Sequence, residues 1–536
     1  MKEHKMMKAM PLTLAAMMIF TGCGRMNYMA TDTMMNEGKQ GAAMDRAACE
    51  DNYEAAADCE AGFSMDPDFN TEEYSAITEN SFRSAVSDPL STFSADVDTA
   101  SYSNLRRMIR DGRAVPADAV RIEEMINYFH YHYPEPQAGE PFSVTTELAD
   151  CPWNPDTKLM MIGMKAKQID LQDRKPMNLV FLIDVSGSMY SADKLPLVQK
   201  SFALLTEELT EKDRVSVVTY AGSDRVELEG ASGSDKMQIR EAIEALEAGG
   251  STAGAAGINT AYEIAKKYFI EGGNNRIILA TDGDLNVGVS SEAELKKLVT
   301  KQRKNGVSLS VLGFGTGNIK DNKMETLADN GNGNYSYIDS EAEAKRVLVE
   351  EMGGTLETVA KDVKFQVEFN PAYIKGYRLI GYENRMLAAE DFADDSKDAG
   401  EIGAGHTVTA LYEVADTASA MEFVSSELKY SENQNSGTEN GEYCTVSVRY
   451  KEPDGDESKL LSYPVTADAY TQNMKDDMRF ASAVAAFGLI LRDSAYKGTV
   501  SKEMVLGMIT ENDTANDPYK AEFTELVEKA SMAPAE

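Results

Sequence analysis

Asp184-Val185-Ser186-Gly187-Ser188 places a carboxylate and two hydroxyls at alternate positions of a loop whose glycine lets the backbone turn sharply. Three hard oxygens so placed can face one point, and hard oxygens suit Mg²⁺ or another hard divalent cation that keeps part of its water shell. Two further oxygen groups follow: Thr252, closing Gly249-Gly250-Ser251-Thr252, and Asp282, in Thr281-Asp282-Gly283. Read as a nucleophile, Ser186 has no base visible in the sequence to activate it, and no residue set suggests a Ser-His-Asp triad. The chemistry on offer is cation binding with few carboxylates.

These side chains meet only if the elements that carry them share one end of a sheet. Asn178 to Ile183 is a short apolar run bounded by polar residues, as expected of a strand buried on both faces, and the texture recurs at 215–220, 276–280 and 308–314. Helical patterns cover 194–209, 237–246, 254–269, 292–304 and 321–328. Strands alternating with helices of this length predict βαβ units, hence a doubly wound α/β domain with a parallel, Rossmann-like sheet and right-handed crossovers. Ligands of such sheets bind in the crevice beyond the carboxyl ends of the strands. Asp184, Thr252 and Asp282 fall there.

With all five oxygen positions in order and each on its expected loop, residues 176–354 resemble the von Willebrand factor type A (VWA) domain and its metal-ion-dependent adhesion site. The resemblance implies that Ser186, Ser188 and Thr252 coordinate the metal directly or through water, while Asp184 and Asp282 hold waters and hydroxyls in place. It implies Mg²⁺, with Mn²⁺ or Ca²⁺ as alternatives, and one coordination position open to an acidic side chain of a protein partner. Three further stretches, Pro89 to Tyr102, Arg121 to Asn127 and Tyr377 to Arg385, resemble bacterial VWA lipoproteins. That family has no well-defined biochemical activity.

The remainder of the chain divides by texture. Residues 1–22 read as a signal peptide, with Lys2, Lys5 and Lys8 before an apolar run from Ala9 to Phe20 that is too short to span a bilayer. Phe20-Thr21-Gly22-Cys23 resembles a lipobox, with Phe20 in place of the usual Leu, and makes Cys23 the acylated residue of a lipid-anchored protein. Residues 23–75 then form a polar tether. A small helical unit is expected at 76–140, β segments at 141–175, the VWA domain at 176–354, a β-rich domain at 355–470 and a helical segment at 471–536. β segments on both sides of the α/β unit suggest one β domain into which that unit is inserted.

The 536 residues are 43% hydrophobic and 8% aromatic, which excludes a wholly disordered chain. A formal charge of −35 repels phosphate backbones and speaks against nucleic acid as partner. Beyond Cys23, four cysteines remain, Cys49, Cys59, Cys151 and Cys444, in a compartment where disulfides can form. Their pairing is open, and a Cys151–Cys444 bridge would join segments flanking the central domain.

Other motifs carry less. Asp96-Val97-Asp98-Thr99 resembles a phosphatase nucleophile loop but has Ala100 where Thr or Val is required and no buried strand before it, so its carboxylates are expected to cap the following helix. Asp282, Asp284 and Asn286 begin like a calcium loop that Val287 and Ala293 then break, leaving Asp284 as a supporting carboxylate. Gly313, Gly315 and Gly317 predict a structural turn, and His130 and His132, with no third ligand in sight, read as surface or packing residues. The sequence thus points to a non-enzymatic envelope lipoprotein on the outer membrane or outer face of the cell membrane, binding a protein or other carboxylate-bearing ligand through its metal. A metal-assisted hydrolase of envelope polymers and a metal-independent scaffold are the alternatives.

Overall fold

Every residue of the strand Met177–Asp184 is buried. Leu179, Phe181 and Ile183 feed one apolar core, whereas Val180 and Leu182 feed another on the opposite face, the alternation that a strand geometry imposes. The computed structural model describes residues 71–95, 98–169, 174–251, 254–283, 292–351, 357–397, 399–423, 437–512 and 516–531. The signal peptide, Cys23, Cys49, Cys59, Asp96, Thr252 and Asp284 lie outside the described residues.

Six described strands form the central sheet, in the order 335–338, 308–314, 274–281, 177–184, 214–220, 224–232. The first five are parallel. The edge strand Asp224–Ser232 is antiparallel, which corrects the all-parallel expectation. Only three residues separate it from Arg214–Tyr220, enough for a hairpin and too few for a crossover. Its mostly exposed residues hide it from an apolar-run reading. The helices Leu195–Glu207 and Gly254–Lys267 contribute Phe202 to one core and Ile258 and Ala265 to the other.

Strands from before and after this α/β unit share two further sheets. One joins Phe142–Asp150 and Lys158–Ala166 to Thr407–Asp416 and Ile374–Ile380, and the other sets Leu90–Ser94 and Glu442–Lys451 on either side of Thr358–Phe369. Phe93, Met160, Ile162, Phe365, Tyr412 and Val446 fill the core between them. The segments at 141–175 and 355–470 therefore make one β body, and Leu90–Ser94, expected to lie in a helical unit, belongs to it as well.

A helical layer covers the outer face of the first sheet. Leu159, Met161 and Leu411 leave the sheet on that side and pack with Leu105, Ile126, Phe480, Val484 and Phe523. The helices at 100–110 and 122–127 thus share one core with those at 476–491, 502–510 and 518–529, uniting the two helical segments that lie far apart in the sequence. At Gly488 a Cβ would lie 2.8 Å from Ile122 Cγ1, so glycine permits that close helix approach.

Buried ion pairs lock this layer to the α/β unit. Arg106 pairs with Asp339 at 2.5 Å and Glu343 at 2.7 Å, Arg346 pairs with Glu343 at 2.9 Å, and Tyr128 donates its hydroxyl to Glu343. Arg121 reaches Asp321 and Glu325, both at 2.8 Å. Asp98 is no helix cap: it accepts the Tyr335 N–H and pairs with Arg385 at 2.9 Å, and a largely buried strand does precede it.

Cys151 and Cys444 are free and buried, so the bridge between them does not form. The Cys151 thiol donates to Glu413 Oε1 at 3.9 Å and the Cys444 thiol to Met160 Sδ at 3.7 Å. Burial, with Glu413 adding to it for Cys151, pushes each thiol up to about 12. His130 and His132 lie at the surface beside Glu351 and Asp477. No described helix is long and apolar enough to cross a membrane.

Burial alone would raise the Glu343 carboxyl, but Arg346 and Arg106 pull it down to about 2. Its stabilising charge is therefore present above its unfolded value of 4.5 and lost as pH falls toward 2. Glu343→Ala should leave two buried cations short of a partner and destabilise the fold by about 3–5 kcal/mol, read as a lowered thermal midpoint at pH 7.

Candidate functional site

The site begins where the buried strand Met177–Asp184 ends. Val185 N–H bonds to Tyr220 O, Gly249 N–H to Val185 O at 2.7 Å, and Gly187 N–H to Gly250 O at 3.1 Å. The loop after the first strand is thereby zipped to the described part of the loop that leads to Thr252. Thr252 itself lies outside the described residues.

Within this frame Asp184 Oδ1 accepts the Ser186 N–H at 2.9 Å, and the Ser186 and Ser188 hydroxyls stand 3.0 Å apart. Asp184 and Asp282 are completely buried and Ser186 nearly so, while Ser188 is open to solvent. Asp282 follows the neighbouring strand Asn274–Thr281, and Ser188 hydrogen-bonds to it, so four of the five expected side chains converge. Among the described residues no three His, Cys, Asp or Glu side chains gather as a metal cluster. Cation binding here would have to use the hydroxyls.

Three participants were not legible in the sequence. Thr281 donates its hydroxyl to Asp184 Oδ2 at 3.3 Å and accepts the Gly283 N–H. Lys194 sends its ammonium to Asp282 Oδ2 at 2.9 Å and to Asn318 Oδ1 at 3.2 Å. Asn318 lies in the turn after the strand Ser308–Phe314, at the carboxyl end of the sheet, and that position is the signal that could have found it. A lysine ahead of a helix carries no such signal.

The two carboxylates are electrostatically unlike. Burial pushes Asp184 up to about 6; hydrogen bonds from Ser186 oppose the rise and the Asp282 charge adds to it. For Asp282 burial would act the same way, but Lys194 and Asn318 hold it below the usual carboxylate range. No described cation pairs with Asp184, whose partners are all neutral donors. A buried anion lacking a counter-charge, beside two converging hydroxyls, fits a hard divalent cation.

The surroundings are open. A groove of ≈ 650 Å³ lies beside the zipped loops, lined by Val185, Gly222, Arg225, Leu246, Gly249 and Gly250. Two residues past Ser188, the Tyr190 ring is 83% exposed.

The family described as von Willebrand factor type A domain matches residues 178–351, that described as von Willebrand factor matches 68–161, and that described as Uncharacterized protein YfbK, C-terminal, matches 354–532. Uncharacterized protein YfbK of Escherichia coli (strain K12) is 43% identical over 471 residues, covering 86% of this chain and 81% of the relative. Inter-alpha-trypsin inhibitor heavy chain H3 of Homo sapiens is 27% identical over 205 residues, 36% of this chain and 22% of that protein. Among solved structures, von Willebrand factor type A from Catenulispora acidiphila is 15% identical, covers 76% of this chain and 99% of its own, and has a TM-score of 0.41.

Asp184 titrates at 3.8 when unfolded and near 6 when folded, so the stability tied to its proton is full below 3.8 and lost as pH rises through 6. In metal-free protein, Asp184→Asn should therefore stabilise at pH 8, by up to about 3 kcal/mol. The gain should vanish toward pH 4 in paired thermal melts.

Proposed function

This chain belongs to the family of the E. coli protein YfbK and carries a VWA domain, and from that premise we propose that it is an envelope lipoprotein that holds a protein or other carboxylate-bearing ligand through a Mg²⁺-completed site. VWA domains commonly mediate protein–protein interaction and adhesion, and they often bind a divalent metal. The observation that carries the reading is the convergence of Asp184, Ser186, Ser188 and Asp282 at the sheet's carboxyl end, with the buried Asp184 charge unmatched by any described cation.

Ser186 and Ser188 would hold the ion, joined by Thr252, with Asp184 and Asp282 orienting waters and hydroxyls around it. Bound there, the cation supplies a Lewis-acidic position for an oxygen donor from outside. Two hydroxyls neutralise none of its charge, so an incoming carboxylate is favoured over a neutral carbonyl. The exposed Tyr190 ring and the groove beside Gly249 and Gly250 give such a ligand surface to rest on. In this reading the chain binds its ligand without catalysing a reaction, and Cys23 carries the acyl chains that keep it at a membrane outside the cytoplasm.

Crosslinked capture from intact cells, with Mg²⁺ and again with chelator, tests the site. Ser186→Ala should lower partner recovery at least about tenfold with an unchanged thermal midpoint, and chelator should do the same to the unaltered protein. Equal recovery in excess chelator would overturn the mechanism. For the anchor, Cys23→Ser should move the protein from the membrane fraction to the soluble one and abolish labelling by a palmitate analogue.

A further inference from the structure

Lys194 is built into the candidate metal site. Its side chain is 7% exposed, and its ammonium is shared between Asp282 and Asn318. The stem passes over Gly315, where a Cβ would come within 2.3 Å of Lys194 Cε and 2.4 Å of Cγ, and where φ is +76°. Only glycine leaves that path clear, and Gly315 is itself held by the Tyr337 hydroxyl, which donates to its carbonyl at 2.6 Å.

The Asn318 turn is fixed from two sides. A Cβ on Gly283 would meet Lys320 N at 2.7 Å and Asn318 O at 3.0 Å, so the turn packs directly against the Asp282 loop. From the other side, Thr71 N–H bonds to Gly317 O at 2.8 Å, Glu73 N–H to Ile319 O at 2.9 Å, and Glu72 accepts the Gly317 N–H. Lys194 cannot be a surface side chain that has drifted inward.

Its presence changes the charge arithmetic. Among the described residues, the two buried carboxylates Asp184 and Asp282 and the Lys194 ammonium sum to one negative charge, where the carboxylates alone would sum to two. A divalent cation would then meet a like charge in a poorly solvated crevice, which opposes it strongly. Once seated, it would leave the crevice with an excess positive charge that an anion can cancel. We propose that Lys194 is a resident cation that keeps affinity for the divalent ion low until an anionic ligand arrives, so that metal and carboxylate bind cooperatively. This inference rests on the metal-binding reading above. It identifies the ligand class as anionic and makes the ternary complex, rather than the metal-loaded protein, the stable species.

The competing role is purely positional: Lys194 would hold Asp282 in place, and its loss would weaken metal binding. The two roles predict opposite signs. Mn²⁺ binding to the full chain is measured by calorimetry near pH 7.5 in wild type, Lys194→Gln and Lys194→Met, with near-ultraviolet circular dichroism to verify packing. Gln keeps an amide donor toward Asp282 and Asn318, and Met keeps the stem. We expect both neutral variants to bind Mn²⁺ alone about tenfold tighter than wild type, within the usual span of coupling energies. Acetate, added as the carboxylate probe against matched chloride, should tighten Mn²⁺ binding in wild type and do so less in the variants. Unchanged or weaker Mn²⁺ affinity in a packed variant overturns the proposal. So does wild-type affinity indifferent to acetate, an outcome that needs no variant. Absence of Mn²⁺ uptake by wild type and variants alike would instead overturn the metal-binding reading beneath it.

Discussion

A carboxylate taken out of water must be given a partner or surrender its charge, and this constraint organises the molecule. At the end of the central sheet it acts twice, with opposite results. Asp282 receives Lys194 and keeps its charge, whereas Asp184 receives neutral donors and drifts toward protonation. Two carboxylates of one crevice thus sit in different protonation regimes because only one has a cation beside it. In the proposed reading, that asymmetry would suit a metal borrowed from solution, whose charge would complete what the fold leaves unfinished.

The same constraint holds the layers together. Arg106, Arg121 and Arg385 come from different elements, and each is buried against carboxylates of the α/β unit, while Arg346 backs Glu343 from within the same helical segment. Such pairs contribute little net stability compared with apolar packing, but breaking one strands a charge. They fix which surfaces meet. The helical layer needs this, because its elements come from two ends of the chain and share no local contact to guide them.

Local chemistry was legible in the sequence and long-range partnership was not. The strands at 177–184, 274–281 and 308–314 announce themselves by unbroken apolar runs, because burial on both faces leaves no polar alternation to confuse. Asp184, Ser186, Ser188 and Asp282 follow from hard-donor chemistry at the ends of those runs, with the VWA resemblance supplying their roles. The strand Leu90–Ser94 was hidden, since five residues beside a helical pattern carry no sign that their partner is Thr358–Phe369, far along the chain. Asp98 failed for a related reason: a carboxylate ahead of a helix reads as a cap, and only the tertiary fold brings Arg385 to it. Lys194 was the least legible, because a lysine is ordinarily solvated and its burial depends on a glycine more than a hundred residues away.

Cys151 and Cys444 have a consequence for where this body can work. Buried deep in apolar packing and held as protonated thiols, they offer little nucleophile to an oxidant and close no covalent loop. The cohesion of the described body is therefore indifferent to the glutathione poise or oxidase content of its surroundings. It can assemble in a reducing or an oxidising milieu without help from a thiol–disulfide exchange partner.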